Sequence, residues 1–393
     1  MKKLKQSIEK FSEFSNHLKS LRIQRGFSQG ELAVRAGITR QAVSSIESNL
    51  YLPTTGVALH LASALACHVE DLFNLRTDED IVEGKLVGHL PQSDTKASPI
   101  RVKVSTVGSK TVVRPVTGLG EVLSFTVPAD GYVVELHGQT SGAMVRVKLS
   151  RDRQAIEQAI SVAGCDPAIF LAGEHMRRRK DQTSLVGWTM GSMAALRAVQ
   201  QGEVHVAGLH LFDPATGESN LPFLRRALKS SNYEIVTFAT WEEGLLVRAG
   251  NPKSIRAVSD IADPNITLVN REEGAGARLL LDQRLRVTGI NSDQVKGYGT
   301  IVSSHFEIAR AIANGQADVG IGIRSAAQLF GLDFIPLQAA RYDLVVPKPY
   351  LKSHPTLSHL FETLVSRPFR NEIEALGGYD TSETGKLQAL RVG

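Results

Sequence analysis

The sequence of 393 residues is poor in cysteine and lacks long apolar runs. Its two cysteines, Cys67 and Cys165, fall in segments that we expect to belong to different domains, so neither a disulfide nor a structural zinc site made by cysteines alone is expected. No stretch approaches the roughly 18 consecutive apolar residues of a transmembrane helix. The lysine-containing N-terminus has no apolar segment followed by a cleavage site, which argues against a signal peptide. These absences predict a cytoplasmic protein without a membrane partner.

Acidic side chains are scarce at the N-terminal end of the chain. Residues 1–76 contain ten basic and six acidic side chains and so carry +4 of the formal net charge of +5. This asymmetry favours a polyanionic partner for the N-terminal part, although a solvated basic face explains the charge equally well. The chain length predicts two or three domains.

Residues 12–76 have the pattern of several short helices with sharp ends. Ser28 and Glu31 form an S-x-x-E capping box, which predicts the start of a helix, and Gly37 supplies the left-handed residue that ends it. Thr39 is a suitable N-cap for a second short helix. That helix is expected to turn Val43 and Ile46 inward, and to turn outward Arg40, Gln41, Ser44 and Ser45.

The run from Leu21 to Ser48, LRIQRGFSQGELAVRAGITRQAVSSIES, resembles the phage-repressor/Cro-type (XRE) helix-turn-helix family. The resemblance implies that the helix after Thr39 enters the major groove of a double-stranded DNA operator. Base contacts are then expected from Arg40, Gln41 and Ser45, and phosphate contacts from Gln29, Thr39 and Ser44. Asn49 is the expected end of this helix and is also counted among the candidate DNA-binding residues. Such proteins bind near-palindromic sites as homodimers.

The middle of the chain changes character twice. Residues 77–98 are polar and aperiodic, which predicts a linker, and residues 99–150 are predicted to form a small β-barrel or sandwich. The expected strands are 101–104, 111–113, 122–125, 132–134 and 145–149. The segments 128–132 and 145–149 are similar to the C-terminal β-domain of molybdopterin molybdenumtransferases, and a passive spacer is an equally good interpretation.

Residues 151–393 alternate strands with helices, which is typical of α/β layers. The expected strands are 160–163, 184–188, 204–211, 234–239, 266–269, 295–298 and 318–323. The expected helices are 192–201, 219–230, 275–286, 304–314, 324–330 and 354–376. Segments 241–252 and 341–347 are predicted to cross between two lobes.

Several motifs here resemble the periplasmic-molybdate-binding-protein-like (PBP-like) domain that is often fused to helix-turn-helix modules. They are 163–167, 202–217, 241–244, 250–252, 270–278, 317–322 and 331–334. The resemblance implies a type II two-lobed fold with a ligand in the cleft between the lobes. The predicted fold class is therefore multidomain: an all-α helix-turn-helix domain, a small β domain and a two-lobed α/β effector domain.

The predicted cleft chemistry favours a small anion. Loops of small residues lead into helices at 190–192 and 274–277, and a helix N-terminus presents free N–H groups with partial positive charge. The candidate effector-binding residues are Asp166, Ser192, Gly274, Ala275, Gly276, Ala277, Arg278, Thr300, Ser303 and Tyr342. Molybdate or tungstate is the first hypothesis for the bound oxyanion, and no other cofactor is expected.

Some of these residues have simpler interpretations. Arg278 is equally able to pair within its own domain, and Ala277 lacks the hydroxyl that the family commonly has there. Cys165 has no recognisable histidine partner in the sequence, which argues against a nucleophile. His205 and His210 alternate on an apolar strand and are interpreted as core or hinge histidines rather than a metal pair.

The sequence thus predicts a ligand-responsive DNA-binding regulator that is not an enzyme. Two alternatives remain at this stage. One is an enzyme of molybdenum-cofactor chemistry, and the other is an anion-storage protein with a non-functional DNA-binding module.

Overall fold

A computed structural model describes residues 14–75, 81–90, 99–119, 121–138, 140–179, 184–228, 232–354 and 356–389. The chain divides into two compact units, Met1–Val82 and Glu83–Gly393. Among the described helices, none has both the length and the apolar character needed to cross a membrane.

Unit 1 is a bundle of short helices closed by a small two-stranded sheet. Its elements are β1 (Phe14–Asn16), α1 (Leu18–Gln24), α2 (Gln29–Ala36), α3 (Arg40–Glu47), α4 (Thr55–Leu65), α5 (Val69–Leu72) and β2 (Phe73–Leu75). The structure confirms the predicted start and end of α2: Ser28 and Glu31 make the capping box, and Gly37 is left-handed with φ of 66°. Leu32, Val43 and Ile46 are fully buried in one core.

Unit 2 begins with a closed β-barrel. Its strands are β3 (Ile81–Leu86), β4 (Arg101–Val107), β5 (Lys110–Pro115), β6 (Gly131–Leu136) and β7 (Met144–Leu149), in the order β3-β5-β4-β6-β7. The predicted barrel is confirmed, with two corrections. Ile81–Leu86, which was predicted as linker, supplies a strand because Leu86 is buried in the barrel. Residues 122–125, predicted as a strand, lie in helix α6 (Glu121–Thr126).

The rest of unit 2 is a two-lobed α/β domain. Its strands are β8 (Ile160–Gly164), β9 (Leu185–Thr189), β10 (Val206–Leu209), β11 (Phe212–Asp213), β12 (Glu218–Ser219), β13 (Tyr233–Val247), β14 (Asn270–Arg271), β15 (Ile301–Val302), β16 (Val319–Ile323), β17 (Asp333–Pro347) and β18 (Tyr379–Asp380). Its helices are α7 (Arg153–Glu157), α8 (Ala168–Arg179), α9 (Ser192–Gln200), α10 (Leu221–Ala227), α11 (Gly276–Thr288), α12 (His305–Ala313), α13 (Arg324–Leu329), α14 (Lys348–Ser353), α15 (Leu357–Leu364) and α16 (Arg367–Ala375).

Two long antiparallel strands, β13 and β17, connect the lobes. The first half of β13 and the second half of β17 extend the sheet of β10, β8 and β9, which forms the first lobe. The second half of β13 pairs with β16 in the second lobe. Residues 241–247 and 341–347 of the predicted crossings are therefore parts of continuous strands, whereas 248–252 form a turn after β13. A register shift lies between Thr237 and Ala239, where the chain leaves the first lobe.

Some predicted elements of the two lobes need correction. Residues 295–298 form no strand, and residues 266–269 make only an isolated bridge from Leu268 to Val319. The short parallel pair of the second lobe is instead β14 with β15. The predicted helix 354–376 is two helices, α15 and α16, since Pro368 follows the break and lies at the start of α16.

Candidate functional site

Helix α3 of unit 1 presents a polar surface at its N-terminal end. Thr39 caps it, because its hydroxyl accepts a hydrogen bond of 3.1 Å from the Ala42 amide. Val43 and Ile46 pack inward, whereas Arg40 and Gln41 are exposed and Ser44 and Ser45 are half-buried. This is the arrangement that a helix needs to place its first residues against base edges.

A buried ion pair holds the last residue of α3 against α1. Arg22 on α1 forms a salt bridge with Glu47, the last residue of α3, and both side chains are at most 10% exposed. The Gln29 amide also donates to Glu47, at 2.9 Å, so its side chain is held at the start of α2. Burial acts to raise the pKa of Glu47, but hydrogen bonds from Arg22 and Gln29 outweigh it and lower that pKa. The sequence analysis missed this pair, which joins residues far apart in the chain.

Asn49 ends the α3 region as predicted. It is left-handed, with φ of 55°, and its side-chain oxygen accepts a hydrogen bond of 2.8 Å from Asn16. The same Asn16 amide group donates to the carbonyl of Ile46 at 2.6 Å. Asn49 therefore terminates the helix and also ties it to β1.

In unit 2, three helix N-termini converge on the buried side chain of His210. Helix α9 begins at Ser192, whose hydroxyl accepts a 3.1 Å hydrogen bond from the His210 amide. Helix α11 begins at Gly276, and a Cβ there would lie 2.4 Å from His210 Nε2, so only glycine allows this approach. Helix α12 begins at His305, whose ring centre is 5.6 Å from that of His210. The first helix belongs to the first lobe and the other two belong to the second.

The buried ring of His210 lies between two side chains. Its Nε2 lies 3.1 Å from Oε1 of Glu243, and its Nδ1 lies 3.2 Å from the sulfur of Cys165. Burial by itself lowers the pKa of His210, but the electrostatic effects of Cys165 and Glu243 are larger and raise it to about 10. The expectation of a core histidine is correct for His205, which is bonded to the Ser161 amide and the Thr106 carbonyl.

Several buried polar atoms around His210 make no hydrogen bond among the described residues. They are Arg271 Nη1, Trp241 Nε1, Asp166 Oδ2, both ring nitrogens of His305, and also His210 Nε2 and Glu243 Oε1, which lie 3.1 Å apart without hydrogen-bond geometry. The other nitrogens of Arg271 donate to Glu272 and to the Ser303 carbonyl, so only Nη1 remains available. Folded proteins leave few buried polar groups unsatisfied, so several of them at one lobe interface indicate a ligand site.

Tyr342 is buried next to His210 at this interface, with 6.2 Å between the ring centres. It lies so close to two glycines that a Cβ on Gly164 or Gly208 would be 2.0 or 1.8 Å from its hydroxyl oxygen. Beside it, Asp166 accepts hydrogen bonds from the Ala168 amide and the Tyr379 hydroxyl. Burial raises the pKa of Asp166 to about 6 against these bonds.

A cavity of about 560 Å³ also lies between the lobes, and its described lining does not include His210 or the unpartnered atoms around it. The first lobe contributes Thr189, Met190 and Gly191 to its lining, and the second contributes Glu272 and Ser303 among others. The lobes touch here, because the Met193 amide donates to the Gly274 carbonyl at 3.2 Å. The described conformation is thus a closed one.

The structure brings together six of the predicted effector residues near His210 or on the adjoining loop: Asp166, Ser192, Gly274, Ala275, Gly276 and Tyr342. Ser303 lines the cavity, Thr300 is exposed, and Ala277 is buried in the core of the second lobe. Arg278 is not in the group, because its guanidinium bonds Asp282 and the Arg271 carbonyl and stacks on Tyr298.

The sequence analysis missed five polar residues at this interface: His210, Trp241, Glu243, Arg271 and His305. Four of them lie within motifs 202–217, 241–244 and 270–278, which carried the family resemblance. His305 had no such signal, since it reaches the site only through the packing of α12.

Comparison with known proteins identifies both parts of the chain. Residues 173–365 match the model of the PBP superfamily domain, and residues 18–72 match that of a helix-turn-helix. The uncharacterized protein YvgK of Bacillus subtilis (strain 168) is 36% identical over 228 residues, which are 58% of this chain and 73% of that protein. The uncharacterized HTH-type transcriptional regulator YgzD of the same organism is 38% identical over 63 residues, 16% of this chain and 96% of that protein.

The solved structures to which the chain is similar are more distant in sequence. The complex of PhnD1 from Prochlorococcus marinus (MIT 9301) with methylphosphonate has 11% sequence identity and a TM-score of 0.42, covering 57% of this chain and 93% of that one.

Proposed function

Since this chain belongs to the family with a PBP superfamily domain and carries an N-terminal helix-turn-helix domain, we propose that it is a one-component transcriptional regulator whose DNA affinity responds to a small anion. One observation supports this most directly. The chain combines an exposed polar helix start, Arg40 and Gln41, with a lobe interface that holds unpartnered buried polar atoms. The first suits DNA and the second suits a small ligand.

The chemistry of the interface favours an oxyanion, with molybdate and tungstate as the first candidates. Arg271 Nη1, Trp241 Nε1 and the Ser192 hydroxyl are the candidate donors to the anion. Helices α9, α11 and α12 direct the positive ends of their dipoles to the same point. A ligand that contacts both lobes favours the closed form by its difference in affinity for the two forms.

We further propose a homodimer on a near-palindromic operator, acting in the cytoplasm where the DNA is accessible. In this arrangement Arg40, Gln41 and Ser45 contact bases, and Gln29, Thr39 and Ser44 contact phosphates. Gln29 is suited to this because Glu47 already holds its side chain in place.

The test is a titration of the chain into labelled DNA from upstream of its own gene, followed by fluorescence anisotropy with and without molybdate or tungstate. Arg40→Ala is expected to weaken specific binding about 5- to 150-fold, the equivalent of ~1–3 kcal/mol for a bidentate base contact. The matched control is Arg25→Ala, which removes the same charge from an exposed residue outside α3 and should cause a much smaller loss.

Two results would contradict the proposal. Equal losses in the two variants would show that α3 does not read the DNA. Specific binding that no anion changes would remove the sensing role.

A further inference from the structure

The lobe interface contains a second set of ligand atoms, which the anion proposal does not use. Cys165, His210 and His305 are all buried, and one ligand atom from each lies within 4.8 Å of the others. The sulfur of Cys165 and Nδ1 of His210 are only 3.2 Å apart. A tetrahedral zinc ion separates its sulfur and nitrogen ligands by roughly 3.4 to 3.6 Å, so the third ligand needs to approach by only about 1 Å.

We propose that Cys165, His210 and His305 form a site for a divalent transition-metal ion such as zinc. Thiolate and imidazole are the ligands that zinc prefers, and the site would use one sulfur and two nitrogens. Cys165 and His210 follow strands of the first lobe, whereas His305 begins α12 of the second. A bound ion would therefore join the two lobes in the closed form.

His305 provides the independent evidence that this cluster is more than core packing. Its side chain is 1% exposed, and neither of its ring nitrogens has a hydrogen-bond partner among the described residues. A histidine that served only as core would satisfy at least one of these nitrogens.

Glu243 faces the other ring nitrogen of His210. Its Oε1 lies 3.1 Å from Nε2 of His210, on the side of the ring away from Cys165. Metal-bound histidines commonly direct their other nitrogen to a carboxylate, which fixes the ring and raises its basicity. Gln338 in turn contacts Glu243, with its amide 3.3 Å from Oε2.

The metal site does not exclude the anion of the proposed function. Three protein ligands leave a fourth position open on a tetrahedral ion. The inference also stands apart from DNA binding, since it is tested on the chain without DNA or anion.

Cobalt(II) is the probe, because a cobalt–thiolate bond produces a charge-transfer absorption band in the near ultraviolet. The full-length chain, freed of metal by chelator and dialysed, is equilibrated overnight with cobalt(II) chloride. We expect one cobalt ion per chain, a thiolate band, and visible bands of tetrahedral intensity. Zinc chloride should displace the cobalt and so remove both kinds of band.

Matched variants show which cysteine produces the thiolate band. Cys165→Ala should abolish it and Cys67→Ala should retain it, because Cys67 lies in the other compact unit. His305→Gln should lower cobalt affinity, and Glu243→Gln should lower it about 10- to 100-fold as a group that orients a ligand. Far-ultraviolet circular dichroism checks that each variant is folded.

The proposal is overturned if the wild-type chain shows no thiolate band, or if the band survives in Cys165→Ala. It is also overturned if folded His305→Gln binds cobalt as tightly as the wild type does. Failure here leaves the DNA titration unaffected, so the two proposals fail separately.

Discussion

At the scale of single residues, Glu47 connects three segments of the helix-turn-helix domain. Its carboxylate pairs with Arg22 and accepts from the Gln29 amide, and Arg22 also donates to the Phe27 carbonyl. Removing one partner of a buried pair leaves the other charge uncompensated, which costs more than the pair contributes. Glu47 thus ties the end of α3 to α1 and to the start of α2.

We predict that Glu47→Gln destabilises α1 to α3 by about 1–3 kcal/mol at pH 7, and by much less at acidic pH. The folded-state pKa of Glu47 is lowered, so its contribution is complete above the unfolded pKa of roughly 4.3 and disappears as the pH falls through the folded value. Hydrogen–deuterium exchange of peptides from these helices in the full chain measures the change. The control is Glu70→Gln, an exposed carboxylate of the same domain, which should stay within about 0.5 kcal/mol. A loss that is unchanged between pH 7 and pH 3.5 would rule out the ion pair as the cause.

At the scale of elements, the packing of strand β10 against β17 requires a glycine at position 208. Gly208 has ordinary strand geometry, yet an added Cβ would lie 1.8 Å from the hydroxyl oxygen of Tyr342 on β17. The cost of substitution is therefore steric and not conformational. Since Tyr342 also lies next to His210 at the lobe interface, a substitution of Gly208 should disturb ligand binding as well.

We predict that Gly208→Ala lowers the free energy of unfolding of unit 2 by about 1–3 kcal/mol, the usual cost of overpacking. Combining it with Tyr342→Ala should show strong non-additivity, because the clash is gone once the ring is removed. Denaturant titration followed by tryptophan fluorescence provides the measurement. Gly299→Ala is the control, as no atom lies within 4 Å of the added Cβ. Additive losses for the Gly208 and Tyr342 changes would show that the two do not interact.

Elements whose signals are local could be predicted from the sequence. Ser28, Gly37 and Thr39 carry the cap chemistry of their own helices, so the bounds of α2 and α3 followed directly. The strand predicted at residues 122–125 was wrong, because a run of only four mostly apolar residues does not distinguish a strand from a single helical turn. The crossings were seen as separate strands because nothing in residues 233–247 marks the change of lobe inside one continuous strand.

The site could be predicted only where a loop leads directly into a helix. Ser192 and Gly276 followed from that rule, and both lie against His210. Cys165, His210 and His305 meet only because β8, β10 and α12 are brought together by the closed lobes. No spacing rule connects residues so far apart, which is why the sequence analysis interpreted His210 as core.

At the scale of the whole molecule, the proposed regulator is defined by the coupling between its DNA and its anion. If molybdate or tungstate changes operator affinity by some factor, operator DNA must change the affinity for that anion by the same factor. Couplings of this kind are typically ~1–3 kcal/mol, or about 5- to 150-fold. This equality holds whether the anion promotes or prevents DNA binding.

We therefore predict that isothermal titration of the anion gives dissociation constants, with and without saturating operator DNA, whose ratio equals that found in the DNA titration. Arg40→Ala is the control, because an exposed residue of α3 should leave anion affinity in the free chain unchanged and yet remove the effect of the DNA. An anion-storage protein with a non-functional DNA-binding module would bind the anion with a ratio of one. A ratio that differs from one but survives in Arg40→Ala would mean that DNA acts on the lobes by a route other than α3. Equality of the two ratios, lost in this single variant, would establish that one chain couples DNA binding by the helix to anion binding between the lobes.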